Sequence, residues 1–230
     1  MANIQNPDLL GVLFVAFGVM GFLPFMRLGQ IFEYPDILRQ PTGAILTKYA
    51  AGGRALTLTW LSFALGFVPL IFLAPLLQAA LVANGVDPTF MAIATTFATV
   101  AAVFNIVGLL RWVFLVPLLA QLYLASESDP ARRTTIEVIF EAFHIYLGMS
   151  IGEFLGYAFA AVWGLMIGLA LIQSSILSPL FGIAAIIFSV GLLIGELEFA
   201  GWKLGGLFSA VSSSLFLLWS VVMGVMFLIA

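Results

Sequence analysis

Long apolar stretches alternate with short polar breaks along the whole chain, and the length of each stretch is the most informative feature. A helix needs about 20 apolar residues to cross the hydrocarbon core of a bilayer. Leu9–Arg27, Ala55–Leu81, Leu180–Glu196 and Gly206–Ala230 meet that length. Pro88–Ala125 and Thr134–Gln173 exceed it. Neither divides into two spans, because cutting the first at Arg111 leaves a piece of about 14 residues. The pattern predicts an all-α polytopic membrane protein forming one domain. Its six transmembrane helices are expected at about 9–27, 55–81, 90–125, 132–173, 179–197 and 206–230, with the third and fourth overlong.

The basic residues give the predicted spans an orientation. Arg27, Arg39, Lys48 and Arg54 lie around the first connection, Arg132 and Arg133 in the third, and Lys203 in the fifth. Six spans put every basic residue except Arg111 on one side. By the positive-inside rule that side is the cytoplasm, so both termini face outward. Met1–Leu10 has no positive segment and carries Asp8, which argues against a cleaved signal peptide and for a retained first helix. Within the first connection, Thr42 is placed to cap a short helix over Gly43–Ala51, ended by Gly52 and Gly53. Ile45, Leu46 and Tyr49 make one side of it apolar, so it is expected along the inner interface.

Composition narrows the class. Apolar residues make up 63% and charged residues 8%, against about 45–50% and about 25% in ordinary soluble domains. That excludes a soluble globular domain, a disordered chain and a nucleic-acid binder. The absence of Cys excludes disulfides, thiolate metal sites and Cys catalysis. The expected partners are the lipid bilayer and further copies of the chain or a larger membrane complex.

The overlong pair turns at Ser126–Arg133, where Asp129 suits an N-cap and Pro130 the first helical position. A helix from Pro130 to Gln173 would be about 66 Å long, so it either projects into the cytoplasm or tilts and kinks, and Pro117 is placed to kink its partner. Gly148, Gly152, Gly156, Ala160, Gly164 and Gly168 recur every fourth residue along it. Small residues at this spacing let helices approach closely in lipid. The stripe winds by about 40° per step, so it is expected to serve more than one neighbour.

Few polar groups interrupt the spans. The third carries Asn105, Arg111 and Gln121; the fourth carries Glu137, Glu141, Glu153 and His144, the one histidine of the chain. Charges inside a membrane are costly, so they usually pair and often mark function. Glu137, Glu141, His144 and Gly148 share a face of an α-helix. Glu153 lies nine residues past His144, about 900° on, and so is expected on the opposite side. Pairing the two helices across Asp129 sets Arg111 level with Leu147, and Asn105 level with Glu153. Arg111 is therefore expected to face the fourth helix and pair with Glu141 or Glu153. These five residues, Arg111, Glu141, His144, Glu153 and Asn105, form a candidate ligand or ion-pair cluster. Glu141-x-x-His144 also has the spacing of carboxylate-bridged metal bundles, and would need Glu153, Glu196 or a second subunit to complete a site.

Other chemistries lack their residues. Lys48 and Lys203 sit in connections rather than where a retinal Schiff base would need one. One histidine cannot ligate a bis-His haem. No phosphate-binding Gly-rich loop, nucleophile elbow or His-Glu-x-x-His is present. Ser209, Ser212, Ser213 and Ser214 are expected to satisfy themselves on backbone carbonyls, and the five Trp residues to serve as interface anchors or core. No cofactor is named by the residues.

One resemblance adds to this reading. Glu141-x-x-His144-x-x-x-Gly148, then Gly152-Glu153-x-x-Gly156-Tyr157 and Trp163, precede a turn with Ser178-Pro179 and a glycine-bearing helix Gly182–Gly195. With Gly108-Leu109-Leu110-Arg111-Trp112, this resembles the membrane family called domain of unknown function 4386. The resemblance implies a bacterial inner-membrane protein of several helices, and it assigns no catalytic residues. The expected role is that of an accessory or binding protein for a partner or for a lipid-like or pigment ligand. The alternative is a small membrane enzyme or proton-coupled carrier built on Arg111, Glu141, His144 and Glu153. A cavity among these groups would weaken the purely accessory reading.

Overall fold

A computed structural model describes residues 6–174 and 176–229. Met1–Gln5 of the start, Ser175 of the fourth connection and Ala230 of the last expected span lie outside the described residues. Among the described residues there is no strand, and six helical stretches are long and apolar enough to cross a membrane: Pro7–Phe32, Thr42–Ala83, Pro88–Leu124, Pro130–Ser174, Pro179–Ala200 and Gly205–Ile229. The protein is an all-α polytopic membrane fold.

The helices are α1 (Pro7–Phe32), α2 (Thr42–Leu65), α3 (Val68–Ala83), α4 (Pro88–Phe114), α5 (Val116–Leu124), α6 (Pro130–Phe143), α7 (Gly156–Ser174), α8 (Pro179–Gly195) and α9 (Gly205–Ile229). Short 3₁₀ turns, Asp36–Arg39 and Glu196–Ala200, follow α1 and α8. Three starts share one device. Asp87, Asp129 and Ser178 each accept a bond from a backbone N–H of the first turn, at 2.7, 3.0 and 3.5 Å. A proline follows each of them, where its missing N–H costs nothing. Within the third span the helix breaks at Leu115, just ahead of Pro117, which has no N–H to donate and whose ring crowds the carbonyl four residues back.

The second span bears out where the expected short helix ends and corrects its cap and its interfacial setting. A helix opens at Thr42, and Gly53 interrupts it with a non-helical backbone, where its end is expected, before a second helical piece runs on to Leu65. Thr42 does not cap it; its hydroxyl donates to Glu141 Oε1 at 3.1 Å. Ile45, Leu46 and Tyr49 turn inward and are at most 2% exposed. Gly53 takes φ 54° and ψ −149°, a region open essentially to glycine alone. A Cβ there would meet nothing within 4 Å, so Gly53→Ala isolates backbone strain. It is expected to lower stability by about 1–3 kcal/mol, and an unchanged thermal midpoint in detergent would count against the interruption.

The fourth span holds the largest departure from the expected geometry. Between α6 and α7, His144–Leu155 winds as a π-helix of 12 residues. Such segments are rare and concentrate at functional sites.

The spans stand in a ring in chain order. α1 packs on α2 and α3, these on α4, α4 on the π segment and α7, α7 on α8, α8 on α9, and α9 back on α1. One buried cluster joins Leu28, Phe32, Tyr49, Trp60, Trp112 and Phe140 near the end where the odd-numbered connections lie. There Trp60 and Trp112 stack at 4.7 Å and 8°, with Tyr49 at 5.9 Å on the other side of Trp112. The Tyr49 hydroxyl also donates to the Trp112 carbonyl. This stack fixes the last turns of α4 and therefore the place of Arg111.

Candidate functional site

The ring encloses a cavity to which every span contributes. Its outer chamber, about 140 Å³, has Phe25, Tyr34, Arg39, His144, Glu153 and Glu198 among its lining residues. A second chamber, about 60 Å³, is apolar and aromatic, walled by Phe17, Phe63, Phe67, Trp163, Leu192 and Phe216. A third, about 20 Å³, lies among Asn105, Gly108, Arg111, Gly148, Gly152 and Glu153. Tyr157 lines all three, and Ser213 lines the first two. The outer chamber carries the charge and the second carries almost none.

Arg111 is 5% exposed. Its Nη1 donates to the Gly108 carbonyl at 2.5 Å, and its Nη2 stands 3.4 Å from His144 Nδ1. A guanidinium has only donors, so Nδ1 accepts and His144 carries its proton on Nε2. A second proton, on Nδ1, would break that bond and set two cations together. Phe140 stacks on the imidazole at 5.4 Å. The guanidinium fits because Gly148 has no side chain: a Cβ there would collide with it. Arg111 Nε is buried without a partner. Among the described residues no carboxylate lies within 4.0 Å of this guanidinium.

The expected pairing of Arg111 with Glu141 or Glu153 is therefore corrected. Arg111 does face the fourth span, but its contact there is His144. Glu141 reaches back to Thr42, and Glu137 bonds the Tyr123 hydroxyl. The expected opposition of Glu153 and His144 is corrected as well, since both line the outer chamber. In a π-helix each hydrogen bond spans five residues rather than four, and nine residues make roughly two whole turns. Glu141 and His144 differ in what they touch, Thr42 for the one and Arg111 for the other. Among the described residues no group of three or more His, Asp or Glu is arranged to hold a metal.

Asn105 shares the small chamber with Glu153 and lies against Gly156. The small-residue stripe serves several neighbours in turn. Gly148 takes Arg111, Gly152 meets Gly108 and Gly156 meets Asn105, all on α4. Gly164 then meets Ser189 and Phe216, and Gly168 meets Gly182 on α8. Ala160 lines the apolar chamber instead.

Several lining residues escaped the sequence reading. Arg39 and Glu198 pair at 2.9 Å across the mouth of the outer chamber, more than 150 residues apart in sequence. Gly206 lies against both, and a Cβ on it would stand 2.8 Å from Arg39 Nη2. Tyr34 stands edge-on to Phe25 at 5.7 Å. Burial, reinforced by the facing Glu153 carboxylate and opposed by Arg111, pushes the Tyr34 phenol above its ordinary range. Tyr34 thus remains a neutral hydroxyl at the chamber wall. Glu196, 9% exposed, has both carboxylate oxygens buried without a partner, within electrostatic reach of Glu153 and Glu198. A carboxylate beside an apolar helix end was the available signal for Glu198, as it was for Glu196, which lies behind the chamber. Nothing local marks Arg39 or Tyr34.

The family model described as a domain of unknown function, DUF4386, matches residues 9–230. The chain belongs to this family. No curated protein and no solved structure gives a significant match. For this DUF4386 chain the cavity, rather than a relative, is what bears on function.

Proposed function

We propose that the chain is a membrane-embedded binding protein for a small amphipathic, lipid-like ligand held in the central cavity. The observation that carries this reading is the convergence of all six spans on adjoining polar and apolar chambers that share Tyr157. Burying a polar group in lipid is costly, and few such groups occur in this chain. Their collection around a cavity favours a ligand over a docking face for another protein. In the proposed pose the apolar part lies against Phe67, Trp163 and Phe216, and the polar head lies among Tyr34, Glu153 and the Arg39–Glu198 pair. Pockets of this kind are mostly apolar with a few placed polar groups. One copy builds the whole cavity, so the reading requires no second subunit.

The proposal places the protein in the bacterial inner membrane, with both termini outward and the first, third and fifth connections cytoplasmic. The charge bias of the connections supports it. Contacts among those connections and the helix ends beside them agree: Arg39 with Glu198, and Thr42 with Glu141. The cavity mouth would then open at the cytoplasmic side. A proton-coupled carrier is the second reading, favoured by one observation: Glu153 lines the cavity with no hydrogen-bond or ion-pair partner among the described residues.

Ser213 lines both the outer and the apolar chamber, and Ser213→Phe is designed to fill their junction. Native mass spectrometry of gently purified protein is expected to show an adduct of constant mass on the original chain, reduced at least about tenfold in Ser213→Phe. An adduct equally abundant in both proteins, or none in either, would contradict the reading.

A further inference from the structure

We infer that the head of the bound ligand is a monovalent organic cation, an alkylammonium or arylalkylammonium, received by Glu153 within an aromatic wall. This rests on the ligand-binding reading above. Three carboxylates, Glu153, Glu196 and Glu198, stand at or directly behind the outer chamber, and two guanidiniums, Arg39 and Arg111, oppose them. Arg39 is engaged by Glu198 at 2.9 Å. Arg111 is turned to the Gly108 carbonyl and to His144, in the small chamber behind Glu153. His144 is neutral by its bond to Arg111. Neither guanidinium bonds Glu153, whose carboxylate lines the chamber without an ion-pair partner among the described residues.

Glu196, behind the chamber, is likewise unpartnered. Its carboxylate is nine-tenths buried and neither oxygen has a partner, which is costly unless an opposing charge stands nearby. The lining rings agree with this sign. Phe25, Tyr34, Tyr157 and Phe199 all face the outer chamber, and aromatic faces attract ammonium groups. A charge-assisted hydrogen bond from an ammonium N–H to Glu153 is among the stronger contacts a buried site can make. An anionic head would instead meet Glu153 and Glu198 with both available guanidiniums already engaged.

Matched probes separate the head from the tail. 4-Phenylbutylamine, 4-phenylbutanol and 4-phenylbutanoate share one tail and differ in charge. Their binding is measured by titration calorimetry to the full chain in phosphatidylcholine nanodiscs, with empty nanodiscs subtracted. The amine is expected to bind about tenfold tighter than the alcohol, and the carboxylate weakest. Glu153→Gln is expected to bring the amine-to-alcohol ratio close to one. Glu196→Gln, farther from the head, is expected to lower the ratio several-fold and serves if Glu153→Gln does not fold. Equal binding of amine and alcohol, or tightest binding of the carboxylate, overturns the cation while leaving the cavity reading in place. Failure of all three probes to bind overturns both. An undiminished amine preference in Glu153→Gln overturns the role given to Glu153.

Discussion

Gly108→Val is expected to lower the stability of the protein by about 3 kcal/mol or more. A Cβ on Gly108 would stand 2.5 Å from Gly152 Cα, 3.1 Å from Gly152 N and 3.2 Å from the Leu147 carbonyl oxygen. All three are backbone atoms and cannot rotate aside. The helices must separate, and α4 carries Asn105 and Arg111 one turn to either side of the contact. Small residues at such crossings are what allow close packing where lipid gives no hydrophobic drive. Thermal unfolding in detergent should fall by roughly 6–12 °C for a loss of that size. Gly148→Ala should cost less, because its Cβ meets the end of the Arg111 side chain rather than backbone. A Gly108→Val midpoint within about 2 °C of the original would show that α4 and the π segment do not touch there.

Arg111→Met is expected to cost about 3 kcal/mol, the lower end of what removing one member of a buried charge set costs. The Gly108 carbonyl and His144 Nδ1 lose a donor. Glu153 loses one of the two positive charges that offset it. Methionine keeps much of the side-chain volume, so a cavity contributes little. The electrical part can be separated by a double-mutant cycle. Adding Glu153→Gln to Arg111→Met should recover at least about 1 kcal/mol, because it removes the charge left exposed to its like-charged neighbours. Strict additivity of the two substitutions would mean that Arg111 and Glu153 do not sense each other across the small chamber.

The six spans were legible because each apolar stretch had to satisfy the bilayer by itself. The turn at Asp129-Pro130 was legible because its cap and its proline act within one turn of chain. So was the break ahead of Pro117. The stripe from Gly148 to Gly168 was legible as close packing, though not which neighbour each residue meets. The winding of the fourth span was not legible. No residue between His144 and Leu155 marks a π-helix in isolation; it arises where Gly148 and Gly152 press against α4 and Arg111 must be accommodated. Once the winding changes, angles reckoned at the α-helical period fail, and Glu153 moves from the far side to the side of His144. The end of the short helix at Gly52 and Gly53 was legible too, because Gly53 takes a backbone conformation that only glycine adopts freely. The setting of that helix was not legible: the apolar side of Ile45, Leu46 and Tyr49 packs into the core rather than along the interface. The Arg39–Glu198 pair joins connections far apart in sequence, and only the closing of α1 on α9 brings them together.

A cryo-electron microscopy map of the full chain in nanodiscs of native lipid tests the central proposal most directly. The expected map has one elongated non-protein density. It begins beside Glu153 and the Arg39–Glu198 pair, passes Tyr157 and Ser213, and ends among Phe67, Trp163 and Phe216. A map in which side chains close the chambers, or in which lipid-like density lies only on the outer surface of the ring, would contradict it.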